Sequence, residues 1–561
     1  MKGKNQMINN LNKRFPRHKW GDRFISSVRP EAEKMLEAPI SVIPYSEFLR
    51  FYETGSRVEY EQLYMEHRKR LWHFVAMALY EEDAKWITGL SDVLTAICSE
   101  FAWTFPAHVN KEISYRELYE HIDLFAAETA QALGETLYLL SDRLPGHIVD
   151  MVKKNLEDRI VAPYIKGNQN WPKNNWQAVC NGCIAICMIE LSLHKEFLAS
   201  KKRIVDGLNV FLDSYPEDGI CLEGALYWAY GFGYFVYSAA MIREYTNGEI
   251  DFFKSEKVKN IAHFYEYAFV SDEYTVPFAD AGHVLYLHPG LVGFLHKEYS
   301  TPLISEDAAT KYGYDLRWRL PDLIRDFFWN EGFLDNELKY EEKYFPDACW
   351  YFNRKQKYTL VAKGGHNAEP HNHNDIGSFV VFTDKHYVVD DLGWPEYDKN
   401  YFNPLFRYKN YICTSSLGHS VPIINSSAQL PGADMRGVVR NYHGNVFELD
   451  ISAAYGLCDG SAIRTIQCFD DTVVLSDKLR KGNSLVSRIA LRIEPEIIED
   501  GIVVGESKIS SDRACKVTVK KEIFETRYSV AVSDTGRYVT AYLVDFEPQD
   551  GSSELKLTIK I

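Results

Sequence analysis

Chemistry is most concentrated in the segment KGGHNAEPHNHNDIGSF, residues 363–379. His366, His371 and His373 fall within eight residues there, among acidic and amide side chains, with glycines at both ends. His371 and His373 are two apart, so a strand here would turn both to one side. Downstream, GSFVVFTDKHYVVDDLG supplies Asp390 and Asp391, and SSLGHS supplies His419. Two imidazoles and a carboxylate from adjacent strands would suit a tetrahedral zinc site. The plainer alternative is a set of hydrogen-bonded loop histidines. Five of the 17 histidines lie between 366 and 419, and that density in an Asp- and Gly-rich context favours function.

Two further stretches hold reactive groups. In DGICLEGALYWAYGFGYFVY, residues 218–237, Glu223, Tyr227, Tyr230 and Tyr234 follow the spacing of one helix face. Each tyrosine hydroxyl needs a partner, so such a face suits the wall of a wet cleft better than a dry core. A tyrosine-rich packing face is the alternative. In NQNWPKNNWQAVCNG, residues 168–182, Asn175 would cap a helix or hydrogen-bond a substrate carboxylate, and capping is the simpler role. Asp218 with Glu223, or Asp280 in PFADAG, could also be read as the paired carboxylates of a glycoside hydrolase.

The elements that must position these groups change character along the chain. Up to about residue 340 the apolar residues recur at three-four spacing, as in residues 56–80 and 114–140. Further amphipathic segments follow near 145–160, 177–196, 200–213, 223–245 and 255–270, which predicts stacked helical hairpins. From about 347 the period becomes two, in runs such as GSFVVFTDKHYVVDD, TVVLSDKL and ELKLTIKI, which predicts an antiparallel β-sandwich. The expected organisation is α+β and multidomain, with a helical domain over 1–340 and a β domain over 347–561. The boundary falls in the acidic stretch 330–347. A chain of 561 residues is too long for one compact core.

Composition narrows the function classes. A formal net charge of −15 argues against a general nucleic-acid binder. An anionic substrate would have to meet local cations such as Arg407, Lys409, Arg436 and Arg440. Aromatic residues are abundant at 14%, as in many sugar-binding clefts. No run of 18 apolar residues predicts a membrane span. The first 20 residues lack a secretory h-region, so a cytoplasmic location is expected. Cys180, Cys183 and Cys187 read as buried thiols rather than metal ligands, since no nearby His or Cys completes a set.

Taken together, the words NNW, DG…EGALYWAY and EPHNHNDIGSF…VVDDLGWPEY…RY…GHS resemble the heparinase II/III-type polysaccharide lyases over most of the chain. The resemblance implies an N-terminal incomplete (α/α) toroid followed by a C-terminal antiparallel β-sandwich, with the active cleft between them. It implies β-elimination at the uronic acids of an anionic oligo- or polysaccharide. By motif, Asn175 matches the amide that neutralises the substrate carboxylate, Tyr227 the catalytic tyrosine and His371 the catalytic histidine. His373, Asp391 and His419 match the ligands of one structural zinc. Asp391 is preferred to Asp390 because the family carboxylate precedes x-Gly. Trp176, Glu223, Tyr230, His366 and Arg407 are the expected substrate-binding neighbours. Several members have His where this chain has Trp176, so Tyr227 and His371 must share the proton work here. The reading leaves a homodimer open and gives the chain no nucleic-acid or membrane partner.

Overall fold

The computed structural model describes residues 14–167, 169–271, 273–334, 341–525 and 538–561. Residues 1–13, on which much of the expectation about a leader rests, and 335–340 of the expected domain boundary lie outside the described residues. The chain divides into two compact units. The first comprises the described residues of 14–215, 228–262 and 286–334, and the second comprises the described residues of 216–227, 263–285 and 341–561. Two segments of the helical half, 216–227 and 263–285, therefore pack with the C-terminal unit.

The first unit is helical. The periodic stretch 56–80 forms the helix Val58–Tyr80. Its buried polar groups are paired: His67 Nδ1 lies 2.6 Å from Glu100 Oε1, and Arg68 binds the same carboxylate. The stretch 114–140 is not one helix, as its periodicity suggests. It breaks into Tyr115–Tyr119, with a Ser114–Glu117 capping box, and Leu124–Leu140. Asp123 sits at the break because its carboxylate accepts from the Ala126 N–H of the second helix and from the Phe105 N–H of a preceding loop. Helix Asn175–Glu190 is buried along nearly its whole length and packs against Leu124–Leu140, His194–Asp213 and Gly233–Tyr245. Cys180, Cys183 and Cys187 are buried in it as free thiols. Burial pushes all three thiol pKa values up, which makes them inert.

The second unit is built on antiparallel sheets. A five-stranded sheet runs in the order Glu342–Phe345, Trp350–Arg354, Tyr358–Lys363, Phe379–Thr383, Tyr387–Val389. An eight-stranded sheet includes Glu554–Lys560, Thr472–Leu479, Ala462–Cys468 and Val446–Asp450 as neighbours. A four-stranded sheet runs Cys515–Glu525, Tyr538–Pro548, Leu485–Leu491, Pro422–Ile424. Thr472–Leu479 buries every second residue, as a sheet with one solvated face requires. Phe379–Thr383 is buried throughout. Leu360, Val381, Leu449, Leu475, Ile489 and Val544 share one apolar core to which all three sheets contribute.

Candidate active site

The histidine segment is an excursion between two paired strands. Ala362 of Tyr358–Lys363 stands opposite Phe379 of Phe379–Thr383, and residues 364–378 loop out between them. The base closes with Lys363 N–H to Ser378 O at 3.0 Å and Gly377 N–H to Lys363 O at 2.9 Å. Inside the loop, buried Lys363 and Asp375 form an ion pair at 2.8 Å. The buried Gln429 side chain accepts from the Ile376 N–H and donates to the Ile376 carbonyl. His371 and His373 are therefore in a pinned loop and not on a strand, which corrects the expectation that they share a strand face. His371 has a left-handed backbone, φ 53°, an uncommon conformation for a residue with a side chain.

Asp280 gathers the loop's side chains. It is fully buried. Its Oδ2 meets His371 Nδ1 at 2.5 Å and accepts from the Tyr397 hydroxyl at 2.8 Å. Its Oδ1 meets His373 Nε2 at 3.0 Å and accepts from the Tyr401 hydroxyl. Arg407 Nη2 stands 3.5 Å from Oδ1. Burial alone would raise the Asp280 pKa, but Arg407, His371 and His373 outweigh it and hold the group well below the ordinary carboxylate range. Burial also works against a charged His371, yet the hydrogen bond and charge of Asp280, with Glu223, leave the His371 pKa above its ordinary value.

Tyr227 completes the cluster. Its ring centroid lies 4.2 Å from that of His371, and its hydroxyl is 3.3 Å from the Tyr397 hydroxyl. Glu223 Oε2 is 3.4 Å from His371 Nε2, and burial leads the upward shift of the Glu223 pKa. Gly224 makes this approach possible. Its φ is 96°, and a Cβ there would fall 2.6 Å from the Ala281 Cβ and 2.9 Å from the Phe278 carbonyl. Phe402, with 52% of its surface exposed, sets its ring edge-on to His371 at 5.4 Å.

Deeper in the same unit, His373, Asp391 and His419 are all buried, with candidate ligand atoms within 4.8 Å of one another. His373 Nδ1 is buried without a hydrogen-bond partner among the described residues. His419 Nε2 faces the Cys413 carbonyl at 2.8 Å, while Nδ1 faces Asp391 Oδ2 at 2.7 Å. An orphaned imidazole nitrogen beside a second imidazole and a carboxylate fits a metal ion of the zinc type, and each histidine's other nitrogen has an outer partner. Asp390 is turned elsewhere, with Oδ1 2.6 Å from His283 Nε2. The geometry thus groups Asp391, not Asp390, with the histidines.

Comparison with solved structures finds the same architecture. The heparan sulfate lyase HepC from Pedobacter heparinus superposes with a TM-score of 0.56 at 11% identity, covering 96% of this chain and 88% of that one. The heparinase III-BT4657 gene product gives 0.60 at 13%, covering 99% and 92%. The Streptomyces coelicolor A3 chondroitin AC lyase gives 0.54 at 9%, covering 96% and 82%. The fold is that of these lyases. It is a helical toroid part followed by antiparallel sheets. No family model matches the chain, and no curated protein matches it in sequence.

The remaining expected residues divide as follows. Glu223, Tyr227, Tyr230 and Tyr234 do not form one face of a wet wall. Glu223 precedes the helix Ala225–Tyr227, and Trp228–Phe232 is a wider π turn that breaks the 3.6-residue register. Tyr230 gives its hydroxyl to Glu128 at 2.5 Å under the Arg319 guanidinium, so it is engaged within the helical unit. The Tyr234 hydroxyl is buried with no hydrogen-bond partner among the described residues. Asn174, not Asn175, caps its helix by accepting from the Trp176 N–H. Asn175 is buried at the first helical position, and among the described residues its carboxamide makes no hydrogen bond. The Trp176 ring packs edge-on against His108 at 4.9 Å. Arg407 is buried and donates to the Asn372 carbonyl, so it serves the cluster internally rather than presenting a free cation. Half-buried His366 accepts from the Ala368 N–H, and burial with Arg436 and Lys363 lowers its pKa. Sequence reasoning considered Asp280 only as a hydrolase carboxylate and missed Tyr397, Tyr401 and Phe402. The one signal for these aromatics is the spacing of WPEYDKNYF.

Proposed function

We propose that this chain is a polysaccharide lyase that cleaves uronate-containing glycans by β-elimination, leaving 4,5-unsaturated uronate ends. The observation that carries the reading is the Tyr227–His371 pair, with His371 anchored on Asp280. The fold shared with heparan sulfate and chondroitin lyases agrees with it. In such a reaction the C5 proton is removed, its electron pair forms the C4–C5 double bond, and O4 leaves with a proton. The side chains must take up one proton, deliver another and stabilise negative charge on the carboxylate-bearing carbon. Tyr227 and His371 share the two proton transfers. Asn175, in the helical unit, is assigned the substrate carboxylate by the family resemblance, and its buried carboxamide, which makes no hydrogen bond among the described residues, agrees with that role. The exposed Phe402 ring offers a stacking face to a sugar beside His371. Zinc held by His373, Asp391 and His419 would tie the loop to its neighbours, without contact to substrate.

Glycoside hydrolysis fits less well. Both Asp280 oxygens are occupied by hydrogen-bonding side chains. Asp218 accepts from the backbone N–H groups of Ile220, Asp347 and Ala348 and serves as a turn anchor. The test is a panel of heparan-, chondroitin- and alginate-type oligosaccharides followed by ultraviolet absorbance. A lyase produces a conjugated, absorbing uronate. Cleavage with uptake of water and no absorbance would replace this reading by hydrolysis, and no cleavage by carbohydrate binding.

A further inference from the structure

His371 and His373 are two residues apart, yet they present opposite nitrogens to the same carboxylate. His371 points Nδ1 at Asp280 Oδ2, 2.5 Å away, while its Nε2 is turned toward Glu223 Oε2, 3.4 Å away. His373 points Nε2 at Asp280 Oδ1, 3.0 Å away, while its Nδ1 lies buried beside Asp391 and His419, without a hydrogen-bond partner among the described residues. The hydroxyls of Tyr397 and Tyr401 donate to the two oxygens of Asp280, and Arg407 stands 3.5 Å away, so the group is fixed as a hydrogen-bond acceptor. Each ring nitrogen that faces such an acceptor carries the proton.

We propose that Asp280 is a positioning residue that sets opposite tautomers on the two histidines and so divides their work. Held on Nδ1–H, His371 exposes Nε2 for proton transfer. Held on Nε2–H, His373 exposes Nδ1 as a metal donor. The left-handed backbone of His371, φ 53°, is the local feature that accompanies this arrangement, in which the two rings meet different oxygens of one carboxylate. A carboxylate behind a metal-bound histidine fixes ring orientation and raises ligand basicity. Here the same carboxylate also orients a histidine that binds no metal. Loss of Asp280 should therefore weaken two properties that His373 and His371 carry separately. The kinetic half of this inference rests on the lyase reading, and the metal and tautomer halves do not.

The experiment uses the full chain, metal-free and then titrated with zinc. In the wild type, at a pH high enough for both rings to be neutral, ¹⁵N-labelled histidine spectra of the metal-free protein should show His371 protonated at Nδ1 and His373 at Nε2. The same tautomer on both rings overturns the proposal without any variant. In Asp280→Asn the amide presents N–H as well as C=O to the two rings, and zinc affinity should fall about 10–100-fold. Turnover should fall with KM little changed, since Asp280 touches the histidines and not the sugar. Tyr401→Phe, which removes one hydroxyl and keeps the ring, guards against a folding failure and should reproduce a smaller loss of both properties. Unchanged zinc affinity in folded Asp280→Asn sinks the idea. If the wild type releases no unsaturated product from any uronate, the lyase reading fails, while the spectra and zinc titration still decide the role of Asp280.

Discussion

Tyr227 lies against His371, with ring centroids 4.2 Å apart and planes inclined by 36°. The tyrosine comes from the turn after Gly224 and the histidine from the loop after Lys363. If this pair performs the proton transfers, Tyr227→Phe removes the reacting hydroxyl and little else. We expect kcat to fall about 100-fold or more, as for loss of a general acid or base, with an unchanged thermal melt. A folded variant with near-normal kcat would remove Tyr227 from the mechanism.

The two histidines should differ in kind when replaced. His373→Ala is expected to lose zinc and lower the melting temperature, with activity falling as the loop loosens. His371→Ala should keep the metal and the melt but lose turnover. Elemental analysis beside melts and rates decides this. A metal-free wild type, or loss of metal in His371→Ala, would refute the division of labour.

Asn175→Ala should depress turnover of a uronate substrate while leaving the helix cap intact, because Asn174 provides the cap. A carboxyl-reduced substrate should resist cleavage by the wild type. If it is cleaved as fast as the acid, the carboxylate is not part of the chemistry and elimination is excluded.

Arg464 fixes both arms of the candidate metal site. It is fully buried, pairs with Asp477 through two bonds of 2.7 and 2.8 Å, and donates to the carbonyls of Gly377 and Ser420. Those carbonyls lie in the histidine loop and directly after His419. Arg464→Ala leaves Asp477 buried without its cation, and a loss of about 3–5 kcal/mol is expected in chemical denaturation. A loss below about 1 kcal/mol would show that the pair is dispensable.

His288, in the helical unit, has a carboxylate at each nitrogen: Asp326 Oδ2 at 2.8 Å from Nδ1 and Asp322 Oδ2 at 3.5 Å from Nε2. Burial opposes its charge, but the two aspartates dominate and raise its pKa from 6.5 to about 10. The folded state thus holds the proton more tightly than the unfolded chain. Its stabilisation is complete below about pH 6.5 and is lost as pH rises through about 10. Melting temperatures should fall more steeply over that window in the wild type than in His288→Gln. Parallel curves would show that the ring is not charged in the fold.

The sequence by itself determined the change from a 3.6-residue to a two-residue period, because burial on one face of a helix or strand writes itself into local spacing. It also marked His371, His373, Asp391, His419 and Tyr227, since these stand in short words whose order the chain preserves. It could not place Asp280, which lies 91 residues before His371 and meets it only once the chain has folded. It misjudged the tyrosine face, because a π turn at Trp228–Phe232 shifts the register that the spacing assumed. It read Arg407 as a free cation, because burial beside Asp280 is a property of packing and not of neighbours in sequence. Which nitrogen of each histidine faces the carboxylate is likewise decided by the tertiary structure. It depends on the direction from which each ring approaches Asp280, and no residue type or spacing encodes that direction.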